Sequence, residues 1–202
     1  MVKPPAPAKP AVWFIDTSAL LTLAVDDGLR DVIKVEIEPQ HHILLDVVCD
    51  ELERLADEGP PNVKSLAATA LGQLDWLGAV LDTNDKVAPG RVQEIQDLVR
   101  GGRPLKNPFE HWAESVTMAL AERMQSGIPY FLCEDYSARV ESRHSGCLPF
   151  SVHKLLFHMV RAGRLTADRA VGFADAVMRA GRGSDYTAEE FTSGRLGRVG
   201  RP

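Results

Sequence analysis

Two carboxylates stand where apolar runs of the chain stop. Val12, Trp13, Phe14 and Ile15 lead into Asp16, and the run from Tyr130 to Cys133 leads through Glu134 into Asp135. A continuous apolar run of this kind reads as a strand covered on both faces, as in a parallel sheet. Ligands of open parallel sheets bind beyond the carboxyl ends of the strands, so Asp16 and Asp135 are candidates for one crevice. Either acid alone reads better as a surface turn, and the pair gives the site reading its weight. Glu114 adds to it. On a wheel of about 100° per residue it falls inside the arc of Ala113, Val116, Leu120 and Met124. A buried carboxylate needs a partner, a proton or a cation, and the structural alternative is an ion pair to Arg139 or Lys154. Glu51 lies in the first turn of a helix, at the edge of the stripe Val48, Leu52 and Leu55, where the helix dipole explains an acid nearly as well. Asp50 and Glu53 compete with it. Carboxylate oxygens suit a hard cation such as Mg²⁺ or Mn²⁺, whereas the scattered histidines, His41, His42 and His111, do not point to zinc.

The elements that must position these acids follow from pattern. Ser18 or Thr17 can cap a helix over 19–25, a second buried strand covers 42–45, and a helix runs from about 48 to 58. Gly59, Pro60 and Pro61 stop it. Helical periodicity returns over 64–81 and 91–99, around Asn84 and Pro89-Gly90, and this middle stretch from 62 to 101 is expected to be mostly helical. The loop of Gly101, Gly102, Pro104 and Pro108 precedes a helix over about 109–125. A strand at 130–133, a helix at 136–143 and a short strand at 148–150 follow, then helices over 152–162, capped by Ser151, and 167–180, capped by Thr166. Strands alternating with helices predict an α/β fold, with a central parallel sheet of about four to five strands flanked by helices.

Composition sets the outer bounds. A chain of 202 residues, 45% hydrophobic and 25% charged, suits one soluble globular domain with tails. Residues 1–10 read as a solvated Pro-rich leader, 11–180 as the domain, and 181–202 as a flexible tail bearing Arg182, Arg195, Arg198 and Arg201, with leader and tail dispensable for folding. No apolar run reaches the roughly 18 residues of a membrane span and no signal peptide precedes the fold, so a cytoplasmic protein is expected. Cys49, Cys133 and Cys147 show no metal-ligand spacing and read as reduced thiols. The net charge of -5 runs against nucleic-acid binding unless a local basic patch holds the phosphates.

Taken in order, the acidic segments resemble those of PIN-domain nucleases, the family that includes the toxins of many bacterial toxin-antitoxin pairs. The strand ending in Asp16-Thr17-Ser18 is similar to the family's opening. DVVCDELERLA resembles its second acidic motif with Glu51, HWAESVTMALAERMQ its third with Glu114, and YFLCEDYSAR its fourth with Asp135, while LPFSVHKLL resembles the closing strand and helix. The likeness covers Val12 to about Leu156 and lies in order and context, each motif being short. It implies a divalent-metal endoribonuclease acting on single-stranded or structured RNA. Asp16, Glu114 and Asp135 would hold Mg²⁺ or Mn²⁺, Glu51 would orient or deprotonate the attacking water, and Thr17 or Ser18 would support the ligands from behind. Arg139, Arg143, Lys106 and the tail arginines are the candidates for holding phosphates. A cognate antitoxin is the partner if the chain is a toxin, an RNA-processing role being equally open, and a two-fold dimer is compatible with a compact protein. The longer helical stretch at 62–101 departs from a minimal toxin. The rival in another class is a PIN-like module without catalysis that acts through partner contacts. Phosphoacceptor receiver domains and haloacid-type phosphatases are disfavoured, since Asp16 has no second acid beside it or two residues on.

Overall fold

A computed structural model describes residues 9–195. Strand β1, Ala11–Ile15, is almost wholly buried because both of its faces are covered, which is why its sequence carries no polar alternation. It pairs in parallel with β2, His41–Leu45, on one side and β4, Ile128–Leu132, on the other, so that Phe14 lies level with Ile43 and Phe131. Two short strands complete the sheet: β3, Val80–Leu81, beside β2, and β5, Leu148–Phe150, beside β4. The order is β3-β2-β1-β4-β5, all parallel, as the α/β reading expects. From β1 the chain winds outward to β2 and β3, then returns to build β4 and β5 on the opposite side. The crevice between the carboxyl ends of β1 and β4 is therefore a topological switch point.

Ten α-helices and a short 3-10 turn surround the sheet among the described residues. Helix α1, Thr17–Leu23, is capped by Asp16, whose side chain accepts from Ser18 N; neither Thr17 nor Ser18 is the cap, because both lie inside the first turn. Helix α2, Asp27–Ile37, was not among the expected elements; Asp26 caps it, and Leu29, Ile33 and Ile37 bury one narrow stripe at helical spacing. After β2 come α3, Asp46–Glu58, and α4, Pro61–Leu71. The helix expected over 64–81 stops early at Gly72; a 3-10 turn at Leu74–Leu77 follows, and Gly78 at φ 74° releases the chain into β3. Helices α5, Pro89–Arg100, and α6, Trp112–Glu122, lead to β4. Helix α7, Tyr136–Ser142, joins β4 to β5, and α8, Val152–Arg161, and α9, Ala167–Arg179, follow with the expected Ser151 and Thr166 caps.

The expected flexible tail is corrected up to residue 195. Thr187 and Glu190 form a reciprocal capping box that starts α10, Ala188–Ser193, and Phe191 is fully buried. Its ring centroid lies 5.8 Å from that of Tyr186 and 6.5 Å from that of Phe157, so this segment belongs to the core. Residues 1–8 and 196–202, with Arg198 and Arg201, lie outside the described residues. Among the described residues no helix is long and apolar enough to cross a membrane.

Candidate metal centre

Asp16 is locked at the switch point by its own backbone. Its amide donates to Leu132 O at 3.0 Å, tying the end of β1 to the end of β4. The side chain is buried, and its Oδ2 accepts from Ser18 N at 3.0 Å and from Ser18 Oγ at 2.5 Å. Oδ1 is buried with no hydrogen-bond partner among the described residues. Burial first, then the charges of Glu114 and Glu51, hold the Asp16 carboxyl well above its usual range. Its unfavourable surroundings would be relieved by a proton or by a cation.

Glu51 reaches the same place from α3. Its Oε2 accepts from Thr17 Oγ1 at 2.8 Å, and its Oε1 lies 3.7 Å from an Arg54 guanidinium nitrogen. Burial and then the charge of Glu114 raise its carboxyl above the ordinary value. Its two competitors on α3, Asp50 and Glu53, are exposed; Asp46, at the start of the same helix, is occupied by Thr83, which donates from Oγ1 at 2.7 Å and from its amide at 3.0 Å.

Glu114 sits in the first turn of α6 with its side chain 12% exposed, and His111 Nδ1 lies 3.3 Å from its Oε1. Neither Arg139 nor Lys154 pairs with it: Lys154 donates to Pro149 O at 2.9 Å. His111 precedes α6 in the left-handed region, φ 58°, and its imidazole is drawn above the usual value by Glu114, with smaller contributions from Asp135 and Glu110. Asp135 caps α7, its Oδ1 accepting from Ala138 N at 2.7 Å. Its charge is felt at Cys133, a thiol pushed well up by burial, then by Asp16 and Glu114, and more weakly by Asp135. The fold therefore gathers Asp16, Glu51 and Glu114 into one electrostatic unit. Asp135 borders that unit through Cys133 and His111.

All four acids carry oxygen donors, and among the described residues the buried Oδ1 of Asp16 has no competing hydrogen bond, so the donor chemistry fits a hard divalent ion. Among the described residues no three His, Cys, Asp or Glu side chains close on a common point as a full protein cage would. Mg²⁺ does not need such a cage, since it commonly keeps several waters and takes one or two carboxylates together with substrate phosphates.

Of the candidates for holding phosphate, Arg139 is corrected. It is 1% exposed, donates to Cys133 O at 2.9 Å and Glu134 O at 2.8 Å, and ion-pairs with Asp185, so its charge is spent inside. Arg143 lines a separate hollow with Lys154, Tyr130 and Phe150. Lys106 is exposed in the loop before α6, its amide donating to Glu110 Oε2 at 2.9 Å. Arg182 is also internal, donating to Thr22 Oγ1 at 2.8 Å and to Ser18 O at 2.7 Å.

Three supporting residues were not read from the sequence. Glu134 donates its amide to Ser18 Oγ at 2.9 Å and accepts from Val152 N at 2.7 Å, and burial pushes its carboxyl up to about 7. Arg182 fixes the backbone of Ser18 from below. Arg54 stands 3.7 Å from Glu51, and its spacing of one turn from that acid was the available signal. Comparison with protein-family models, with curated proteins and with solved structures returns no match for this chain.

Proposed function

We propose that this chain is a divalent-metal-dependent endoribonuclease of the PIN kind, hydrolysing phosphodiester bonds of RNA at the crevice between β1 and β4. One observation carries the reading: Asp16, buried at the switch point, keeps an unpaired oxygen facing a field made by Glu51 and Glu114. A fold that buries an acid beside two others gains from a cation there. The resemblance of the four acidic segments to PIN nucleases gives the chemistry its class.

On this reading Asp16, Glu114 and Asp135 would hold Mg²⁺ or Mn²⁺, directly or through its waters, and the ion would supply Lewis acidity toward the phosphate. Glu51 is oriented by the Thr17 hydroxyl and has a raised carboxyl pKa, which suits a group that takes the proton of an attacking water. The water oxygen bonds to phosphorus as the bond to the ribose oxygen breaks, and the proton passes to that leaving oxygen. Ser18 keeps Asp16 in place through Oδ2, leaving Oδ1 for the ion.

Single-stranded RNA and DNA oligonucleotides incubated with wild type and Asp16→Ala, with Mn²⁺ or EDTA, test the proposal. Metal-dependent RNA cleavage lost in a folded Asp16→Ala protein is expected; cleavage that persists in EDTA would reject it. A second reading, a module that binds partners without catalysis, draws on the absence of a closed three-ligand cage among the described residues. It is favoured if folded wild type cuts no RNA. A toxin role adds one more expectation, growth arrest on induced expression that Asp16→Ala abolishes and a cognate antitoxin relieves.

A further inference from the structure

Between α3 and the start of α6 runs a groove of about 220 Å³, walled by Val47, Asp50, Glu51, Arg54, Phe109 and Trp112. It shares Glu51 with the acidic unit, so one end of the groove adjoins Asp16 through the Thr17–Glu51 hydrogen bond. The volume is below the roughly 300–1,000 Å³ of a site for a drug-sized molecule and has room for a single planar ring system.

Its chemistry is equally selective. Phe109, in the loop before α6, is 54% exposed, although an aromatic ring of this size gains most from being covered. The Arg54 guanidinium lies 5.3 Å from the centre of that ring, and it also reaches toward Glu51. Aromatic rings and guanidinium planes are the surfaces on which unstacked bases lie in single-stranded RNA complexes. Asp50 and Glu51 repel a phosphate from the groove, while a neutral base meets no such penalty. Asp50 offers an acceptor and Arg54 offers donors, which match the mixed edge of a heterocycle; an aliphatic side chain of a protein partner would leave both without hydrogen bonds.

We propose that this groove is a nucleobase subsite that takes one unstacked base of single-stranded RNA against Phe109 and Trp112, with Arg54 and Asp50 at its polar edge. The position of the adjoining phosphate rests on the nuclease reading, whereas the base contact does not. Phe109 and Trp112 then hold a base beside the scissile bond, and Arg54 and Asp50 at the polar edge set which base it is.

NMR titration of the ¹⁵N-labelled protein in Mg²⁺ with AMP, CMP, GMP and UMP, and with ribose 5-phosphate as the base-free control, tests this. None of these ligands contains an internal phosphodiester to cut. At least one nucleotide is expected to bind about tenfold or more tightly than ribose 5-phosphate, the scale of one base–aromatic stack. Resonances of α3 and of the loop around Phe109 should shift. Phe109→Ala should remove that preference and Phe109→Tyr should keep it; Phe109 is exposed, so both variants should fold, as their spectra will show. Equal affinity for nucleotides and ribose 5-phosphate, or a preference untouched by Phe109→Ala, would overturn the proposal and leave the groove to an apolar protein side chain. RNA cleavage by wild type is measured alongside. Cleavage without base preference sinks the subsite and spares the nuclease, and base preference without cleavage does the reverse.

Discussion

The Thr17 hydroxyl donates to Glu51 Oε2 over 2.8 Å, joining the helix that follows β1 to the helix that follows β2. Through this bond the acid of α3 is held beside Asp16, and neither carboxylate has a full positive partner within the unit. Arg54 stands off from Glu51 at 3.7 Å, and His111 serves Glu114.

The repulsion inside the unit predicts how it answers to charge removal. Asp16→Asn keeps a competent helix cap and removes one repelling charge, so without metal its melting temperature should equal or exceed that of wild type. Wild type at about 100 times the Kd for Mn²⁺ should gain about 2.7 kcal/mol, which is about 5–10 °C in a protein of this size. Asp16→Asn should lose that gain. Thermal melts of both proteins across a Mn²⁺ series check it, and a wild type indifferent to Mn²⁺ would remove the ion from the site.

His153 predicts a response to acid. It is fully buried on α8, both ring nitrogens lack hydrogen-bond partners among the described residues, and burial, aided by the Arg139 charge and opposed by Asp185, pushes its pKa down to about 4. The unfolded chain takes up this proton near pH 6.5, whereas the folded one waits until about pH 4. Stability from this group is therefore present above about pH 6.5 and is lost between there and about pH 4, by up to about 3 kcal/mol. Glu134, raised to about 7, slopes the other way, so the comparison must be between proteins. His153→Leu breaks no hydrogen bond and should melt at or above wild type at pH 8, with a shallower decline toward pH 4.5. Parallel slopes for the two proteins would contradict this.

The corrected C-terminal segment predicts a structural penalty. Phe191→Ala should cost about 3–5 kcal/mol, on the order of 10 °C, because a buried ring leaves a cavity. Deletion from Gly183 onward should lower the melting point at least as much. A truncated protein that melted like wild type would show that α10 adds nothing to the core.

Asp185 predicts the cost of isolating a charge. Its carboxylate neutralises Arg139, which is 1% exposed, while Asp185 itself is 35% exposed. Asp185→Ala should destabilise by about 1–3 kcal/mol, below the cost for a fully buried pair since water can reach the vacated place. Denaturant unfolding measures it. The Arg139→Met, Asp185→Ala double variant should recover part of the loss.

Strand β5 and its Ser151 cap were legible residue for residue, because a three-residue apolar stub followed by Ser is bounded by its own local chemistry. The acids at the ends of β1 and β4 were legible for the same reason. Helix α2 was readable as well, since Asp26 precedes Leu29, Val32, Ile33 and Ile37 at helical spacing, although no candidate site residue lies on it. Strand β3 was invisible because two residues have no period, and only pairing with Leu44 and Leu45 makes them a strand. Arg139 misled because burial of a helix arginine is decided by the Cys133 and Glu134 carbonyls and by Asp185, remote features that no spacing announces. The capping box of Thr187 and Glu190 was readable, and the Gly- and Arg-rich text around it obscured the signal.

The two outer strands of the sheet carry a consequence for self-association. β3 is two residues long and β5 three, and the middle residue of β5 is Pro149, which has no amide hydrogen to give. β3 and β5 themselves offer little unpaired backbone to template a further strand. Among the described residues these two strands are therefore poor seeds for cross-β pairing between copies of the chain.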